Sequence, residues 1–390
     1  MDKKYIFQGT SMQKNDAAVF DIKVIPVAGY KQFKNFYTLV FNIYKDDQYW
    51  VAPFWSELKS FFKTKNPFWA HAKTQLFIAY EKGEPVGRIA AIIDELYQEE
   101  NKKVGYFGFF ECINDYRVAE SLFTAAEHWL KSHGVTHMRG PINGRIDVGC
   151  GFLYQGFNQS PFILGSYSPP YYIDFAERYG MQKCRDLVSY YLDLTKPIPQ
   201  SVKEVAEQVE KNNVTIRGFN RLHAGRELNW WIPLMMEQFS QHWGYVNVPE
   251  QEVRTRFGVK QARWFVDSKL FLIAEIDGKP ISFKWSTPNY NQIFKKFKGK
   301  LGPIQIVQFF LMKRKITEGK FNFVGIKKEY RIKGIGTFMN YYTMLEMQRR
   351  GYTGAECGWI DEENIASRKA IEKIGAQLYK IFRVYEKKIC

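Results

Sequence analysis

The sequence predicts two tandem copies of one mixed α/β domain, and three observations carry that expectation. Residues 77–86 (Phe-Ile-Ala-Tyr-Glu-Lys-Gly-Glu-Pro-Val) align with 272–281 (Leu-Ile-Ala-Glu-Ile-Asp-Gly-Lys-Pro-Ile) at an offset of 278 − 83 = 195. The same offset returns far downstream, where Glu177-Arg-Tyr-Gly180 matches Glu372-Lys-Ile-Gly375 and Tyr190 matches Tyr385. Between these ends each half alternates short β-branched or aromatic runs with stretches of helical spacing, as a mixed sheet covered by helices requires.

In order, each copy shows a hairpin with a Gly-x-Pro turn, a strand, a helix, a strand, a helix closed by glycine, and a last strand. In the second copy Phe321–Ile326 reads as a strand, Phe338–Arg350 as a helix, Glu356–Ile360 as a strand, Ile365–Ile374 as a helix closed by Gly375, and Leu378–Glu386 as the final strand. The division expected is a polar tail over 1–18, a first domain over 19–195, a connector over 196–213 that opens on Lys196-Pro-Ile-Pro199 and continues as a charged helix, and a second domain over 214–390. At 390 residues with 45% apolar and 17% aromatic side chains, each half can bury a full core.

Chemistry enters at Tyr330-Arg331-Ile332-Lys333-Gly334-Ile335-Gly336-Thr337, which sets two glycines and two cations between a strand and a helix. Backbone N–H groups at such a helix start face an anion, glycines allow close approach, and the helix dipole favours negative charge. The plainer alternative is a tight turn with solvated cations. Gly-x-Gly-x-x-Gly and Gly-Lys-Ser/Thr forms are absent, so dinucleotide and P-loop readings fail. The first copy's counterpart, Cys112-Ile-Asn-Asp-Tyr-Arg-Val-Ala119, holds Arg117 but no glycine, and Asp115 and Val118 make a poor anion cradle.

These residues resemble the GNAT family of acyl-CoA-dependent N-acyltransferases. The Arg-x-x-Gly-x-Gly pattern matches at Arg331, Gly334 and Gly336, and the run from Asn364 to Gly375 looks like the family's following helix. In the first half Asn66-Pro-Phe-Trp69, Gly87-Arg-Ile-Ala90, Gly108-Phe-Phe-Glu111, Arg139-Gly-Pro-Ile-Asn143 and Tyr167-Ser-Pro-Pro-Tyr-Tyr172 are similar to a bacterial group of double-GNAT proteins that includes ceramide synthases. The resemblance implies acetyl-CoA or a longer acyl-CoA as co-substrate, held by residues 330–337 and Asn364, a splayed gap between two central strands for the thioester, and a degenerate first copy. It also implies an amine acceptor, either a small molecule or a long-chain sphingoid lipid. Tandem halves of this kind also occur in aminoacyl-tRNA-dependent transferases of peptidoglycan synthesis. A catalytically inactive CoA- or lipid-binding module is the third class.

Amide formation from a thioester needs a deprotonated amine, a polarised carbonyl and a proton for the thiolate. Glu356, on the strand after the loop helix, is the leading base, with a structural ion pair as an equal alternative. Glu111, at the end of the first copy's equivalent strand, is the second candidate. The family's tyrosine acid falls where this chain has Ile371, while Tyr385 and Tyr342 are expected to pack. His133 and His137 lack further ligands for a metal, the other four histidines are isolated, and no metal is expected.

The balance of 56 basic and 40 acidic residues, +16, admits nucleic acid, an anionic membrane or a polyphosphate cofactor. No zinc-ligand spacing, RNA-binding aromatic signature or basic heptad supports nucleic acid. Five scattered cysteines argue for reduced thiols and a cytoplasmic protein. The basic insert 291–300 followed by the apolar 304–312 and Lys313-Arg-Lys315 admits peripheral contact with the inner face of the membrane, against the alternative of a core helix with solvated ends.

Overall fold

A computed structural model of the chain describes residues 4–6, 22–240, 242–331 and 333–390. Most of the expected tail, Gln241 and Ile332 lie outside them. The chain divides into two compact units, one of residues 1–186, 294–306 and 382–390, the other of residues 187–293 and 307–381.

Strands β1 (Ile22–Pro26), β2 (Ala72–Glu81), β3 (Glu84–Asp94), β4 (Val104–Cys112), β5 (His137–Gly140), β6 (Phe152–Gln155) and β7 (Gln182–Asp193) come in the first half of the sequence. Strands β8 (Thr215–Gly218), β9 (Phe271–Ile276), β10 (Lys279–Pro288), β11 (Glu318–Ile326), β12 (Gly354–Asp361) and β13 (Gln377–Lys388) come in the second. The predicted mixed α/β architecture and its repeated element order are present: β2 to β5 recur as β9 to β12. Helix Tyr116–Ser132 follows β4 as Ile335–Arg349 follows β11, and Tyr171–Arg178 precedes β7 as Ile365–Lys373 precedes β13. Both hairpins turn on two residues of positive φ, Lys82-Gly83 and Asp277-Gly278. That is the twist-matched turn for antiparallel strands, and glycine takes its second position without strain.

In the first unit β1 to β4 are antiparallel neighbours and β4 runs parallel to β5. The end of β13 completes it, with Tyr385 opposite Gly140 and Lys388 opposite His137. Helix Tyr116–Ser132 lays Val118, Leu122, Phe123 and Leu130 onto this sheet beside Phe77, Ile89 and Phe107. In the second unit the order is β7, β12, β11, β10, β9, β8, and only β11 and β12 among these neighbours are parallel. Helix Ile335–Arg349 buries Ile335, Phe338 and Met339 against Leu272, Ala274 and Ile281, and against Ala206 and Val209 of helix Gln200–Lys211. Each unit thus ends in a strand segment that belongs, by the repeat, to the other copy.

A buried charge network pins β13 to the first unit. Arg139 is only 2% exposed, its guanidinium pairing with Glu386 and lying 2.8 Å from Glu99 Oε2, while Lys102 Nζ reaches Glu386 Oε1 at 2.8 Å. Burial alone would raise Glu99, but hydrogen bonds from Arg139 and Tyr97 and the charges of Arg139 and Lys102 outweigh it and hold it at about 2. Glu127 likewise sits at about 2, burial being overcome by hydrogen bonds from Lys131, Tyr179 and Lys387. A carboxylate depressed in the folded state stabilises fully above its ordinary value of 4.5, and that contribution vanishes as pH falls through the folded value. The urea midpoint should therefore fall as pH is lowered from 4.5 towards 2, and Glu99→Gln should flatten that dependence; a midpoint constant across the window in the unsubstituted protein would remove the network from the stability of the fold.

Candidate active site

The glycine loop ends on Gly334, whose φ of +77° suits glycine and which caps helix Ile335–Arg349. The first helical hydrogen bond runs from Phe338 N–H to Gly334 O at 2.9 Å, so the amides of Ile335, Gly336 and Thr337 precede the helical ladder and point out from its start. A Cβ at Gly334 would meet Val205 Cγ1 at 2.8 Å, whereas one at Gly336 would meet nothing closer than Ile326 Cδ1 at 3.6 Å. Gly334 is therefore needed for packing and conformation, whereas a side chain at Gly336 would make only ordinary contact at its Cβ. Lys333 lays its ammonium 5.4 Å from the Tyr330 ring centre. Arg331 acts as a strut: Nε donates to Ile326 O at 3.3 Å and Nη2 to Gln238 Oε1 at 3.0 Å. Ile332 lies outside the described residues.

Upstream, β11 and β12 pair through four registered positions, from Glu318 opposite Gly354 to Phe321 opposite Cys357, and among the described residues no pairing continues beyond. The ends of both strands, 322–326 and 358–361, part there. A bulge against β10, where Trp285 faces Phe323 and Ser286 faces Phe321, turns Phe323 and Gly325 to the side of helix Ala224–Phe239. The Phe323 ring stands 5.2 Å from Phe239 and 5.5 Å from Trp285, and Trp231 and Phe257 extend this aromatic wall. His242 meets Phe239 edge-on with ring centres 4.9 Å apart, and burial lowers its pKa against the raising charge of Asp361 on the parted end of β12. Sequence reasoning passed over His242 as isolated, because a single histidine in a loop carries no spacing signal.

Glu356 lies one register step before the strands part, 1% exposed, with Lys320 Nζ 2.8 Å from its Oε1. Lys380 is pulled down to about 8 by burial, with Glu356 raising it and Lys320 lowering it further, and Tyr379 is raised by burial and by Glu356. The carboxylate thus sits in a buried polar cluster, the arrangement named above as its structural alternative. Asn364 caps helix Ile365–Lys373, its Oδ1 accepting from Ser367 N–H at 3.1 Å. Ile371 is 9% exposed, and a tyrosine approaches this helix from β7: Tyr190 OH donates to Glu372 at 2.8 Å and accepts from Arg368 Nε at 2.9 Å. Tyr385 donates to Glu177 and Tyr342 to Glu210, so both are tied into their surroundings.

The first unit offers no equivalent. Its β4 and β5 also part, after Tyr106 opposite Arg139, but the following loop fills the space. Ile142 N–H donates to Phe107 O at 2.8 Å, Asn143 Oδ1 accepts from Phe109 N–H at 2.6 Å, and a Cβ at Gly108 would strike Ile142 O at 2.2 Å. At the helix start the Asp115 carboxylate accepts from Arg117 N–H at 2.9 Å and pairs with the Arg117 guanidinium, so the chain supplies its own anion. Glu111 accepts from Tyr44 at 2.8 Å and Tyr172 at 3.0 Å, with Arg88 at 3.7 Å; burial raises its pKa and Arg88 opposes the rise. Among the described residues, no three His, Cys, Asp or Glu side chains group as metal ligands.

No family model matches the sequence. A protein of Caulobacter vibrioides named bacterial ceramide synthase is 31% identical over 381 residues, covering 95% of this chain and 99% of that protein. The chain belongs to the same family as this protein. Escherichia coli YghO is likewise 31% identical over 365 residues, covering 91% of this chain and 93% of that protein. Among solved structures, a tandem GNAT protein from the clavulanic acid biosynthesis pathway superposes with a TM-score of 0.56 at 10% identity, over 95% of this chain and 99% of its own. A probable N-acyltransferase of Enterococcus faecalis gives 0.50 at 10% identity, over 94% and 73%. At these identities the structures establish the fold alone, that of tandem GNAT proteins.

A Cβ at Gly336 meets nothing closer than 3.6 Å, so a glutamate there sets a negative charge at the helix start without a clash at its Cβ. Gly336→Glu should therefore lower CoA affinity by on the order of a hundredfold in calorimetric titration, the cradle being filled by like charge. Asp115→Ala in the first unit should leave that affinity unchanged; equal loss from both would end the division of labour between the units.

Proposed function

We propose that the chain moves an acyl group from a CoA thioester to the amine of a long-chain base. One observation carries the reading: the second unit alone combines a glycine-opened helix start with strands that part beside it, while the first closes both with its own residues. The residues fit a CoA ester. The Ile335, Gly336 and Thr337 amides and Lys333 would take the pyrophosphate, and the parted segments 322–326 and 358–361 would flank the pantetheine arm. The aromatic wall of Phe239, Phe323, Trp285 and Trp231 supports an apolar acceptor, as does the name of the Caulobacter relative. A glycine cradle for a pyrophosphate favours a CoA donor over aminoacyl-tRNA.

The bound thioester supplies an activated carbonyl carbon. On the protein side, the aromatic wall excludes water and orients the alkyl chain, and Glu356, one step below the parting, takes the proton of the ammonium directly or through water. The free amine nitrogen then bonds to the carbonyl carbon, the C–S bond breaks, and the second proton that the nitrogen sheds on becoming an amide passes, directly or through solvent, to the leaving thiolate. His242, which feels the charge of Asp361, is another group at the gap able to accept a proton.

Glu356→Gln keeps size and hydrogen-bonding capacity and removes basicity, so kcat with sphinganine and a long-chain acyl-CoA should drop by about a hundredfold or more while CoA affinity stays put. His242→Asn should cost less than about tenfold on the same scale. The reverse order would transfer the proton to His242 and leave Glu356 as a partner of Lys320. Detection of N-acylsphinganine by mass spectrometry tests the substrate class, and acylation confined to short water-soluble amines would replace the lipid acceptor with a small-molecule one.

A further inference from the structure

The insert between β10 and β11 folds as helix Asn291–Phe297, a turn, and helix Pro303–Met312. The first is anchored: Ile293 and Phe297 are buried, Phe294 packs on Phe54, and Lys295 donates to Ser160. The second is not. A helix that is apolar on every side is normally found inside a protein core or a membrane, and Pro-Ile-Gln-Ile-Val-Gln-Phe-Phe-Leu-Met has no charge at all, yet none of its residues is buried. Ile304, Ile306, Val307, Phe310 and Leu311 are 51% to 70% exposed. The alternative of a core helix with solvated ends, open on the sequence alone, does not hold.

Leaving these side chains in water forfeits the burial that their composition calls for, and a contiguous exposed apolar surface of this kind marks a binding face. Its surroundings say for what. Residues 291–315 carry seven cations, at Lys295, Lys296, Lys298, Lys300, Lys313, Arg314 and Lys315, and no acidic residue. The six cations apart from the anchored Lys295 are at or near the surface on both sides of the helix. Apolar side chains flanked by solvated cations match the order of an anionic bilayer, with hydrocarbon below and phosphate above. No helix among the described residues is long and apolar enough to cross a membrane, and at ten residues this one fits only the interface.

We propose that helix Pro303–Met312 docks the protein on an anionic phospholipid surface, inserting Ile304, Val307, Phe310 and Leu311 at the headgroup boundary while the flanking lysines and arginine contact phosphates. This docking goes beyond acyl transfer and does not depend on it. It also gives the insert a purpose that neither the cradle nor the parted strands require.

Flotation of the full chain with phosphatidylcholine vesicles, with and without phosphatidylglycerol, reads docking without reading catalysis. Binding should require the anionic lipid at low salt and should fall as salt screens it. Replacing Ile304, Val307, Phe310 and Leu311 together with Ser should reduce partitioning at least about tenfold. Lys296→Ser, Lys298→Ser and Lys300→Ser combined should weaken binding and flatten its salt dependence. An unchanged far-UV circular dichroism spectrum and urea midpoint in both variants report an intact fold. Absence of binding, equal binding to neutral vesicles, or undiminished binding of the serine variant overturns the proposal. So does a concentration-dependent dimer in sedimentation that the serine substitutions abolish while vesicle binding persists, because the face would then belong to a second copy.

Discussion

The constraint on which the second unit turns is the end of hydrogen bonding between β11 and β12. Two parallel strands can satisfy each other's backbone only while they stay side by side, and after Phe321 and Cys357 they do not. The bulge in β11 begins the departure, the glycine loop continues it, and the helix start is delivered beside the opening. Peptide groups left without a neighbouring strand are a polar, extended edge, which is what an amide-containing chain such as pantetheine can pair with. Placement of the helix start and of the extended slot is thus one event in the backbone, and the side chains around it decorate a geometry already set.

The same backbone event occurs in the first unit and comes to nothing. Strands β4 and β5 part in like fashion, but Ile142 and Asn143 return into the space and take the hydrogen bonds of Phe107 and Phe109. Asp115 performs a parallel substitution at the helix start, a tethered carboxylate standing where a free anion would otherwise be bound. Polar groups exposed by a strand parting and a helix start have to be satisfied, and in the first unit the chain satisfies them internally. Glu111, enclosed by two tyrosines and Arg88, is satisfied in the same way.

What the sequence made legible was local or repeated. The 195-residue offset exposed the duplication, alternating periodicities exposed the mixed sheet, and the glycine pair at 334 and 336 exposed the helix start, because each is written in neighbouring residues. The absence of glycine around Arg117 marked where the two copies differ. What stayed hidden depends on distant chain segments meeting. Lys320 opposite Glu356, the return of Ile142 against Phe107, and the charge of Asp361 felt at His242 have no signature in spacing. The exposed helix Pro303–Met312 was hidden for a different reason: apolarity reports what a segment prefers, and only the packed structure shows that the preference is not met within the described chain.

The membership of β13 in the first unit has a bearing on how the protein is made. The pairing of Arg139 with Glu386 spans 247 residues, so the edge of β5 emerges from the ribosome long before its partner exists. An unpaired edge strand is the part of a nascent chain most open to mispairing, and the delay here lasts through synthesis of the whole second copy. The two copies therefore do not mature as beads added to a string. Residues 382–390 close the sheet that β1 to β5 begin, so the first sheet stays open until the second copy has been made.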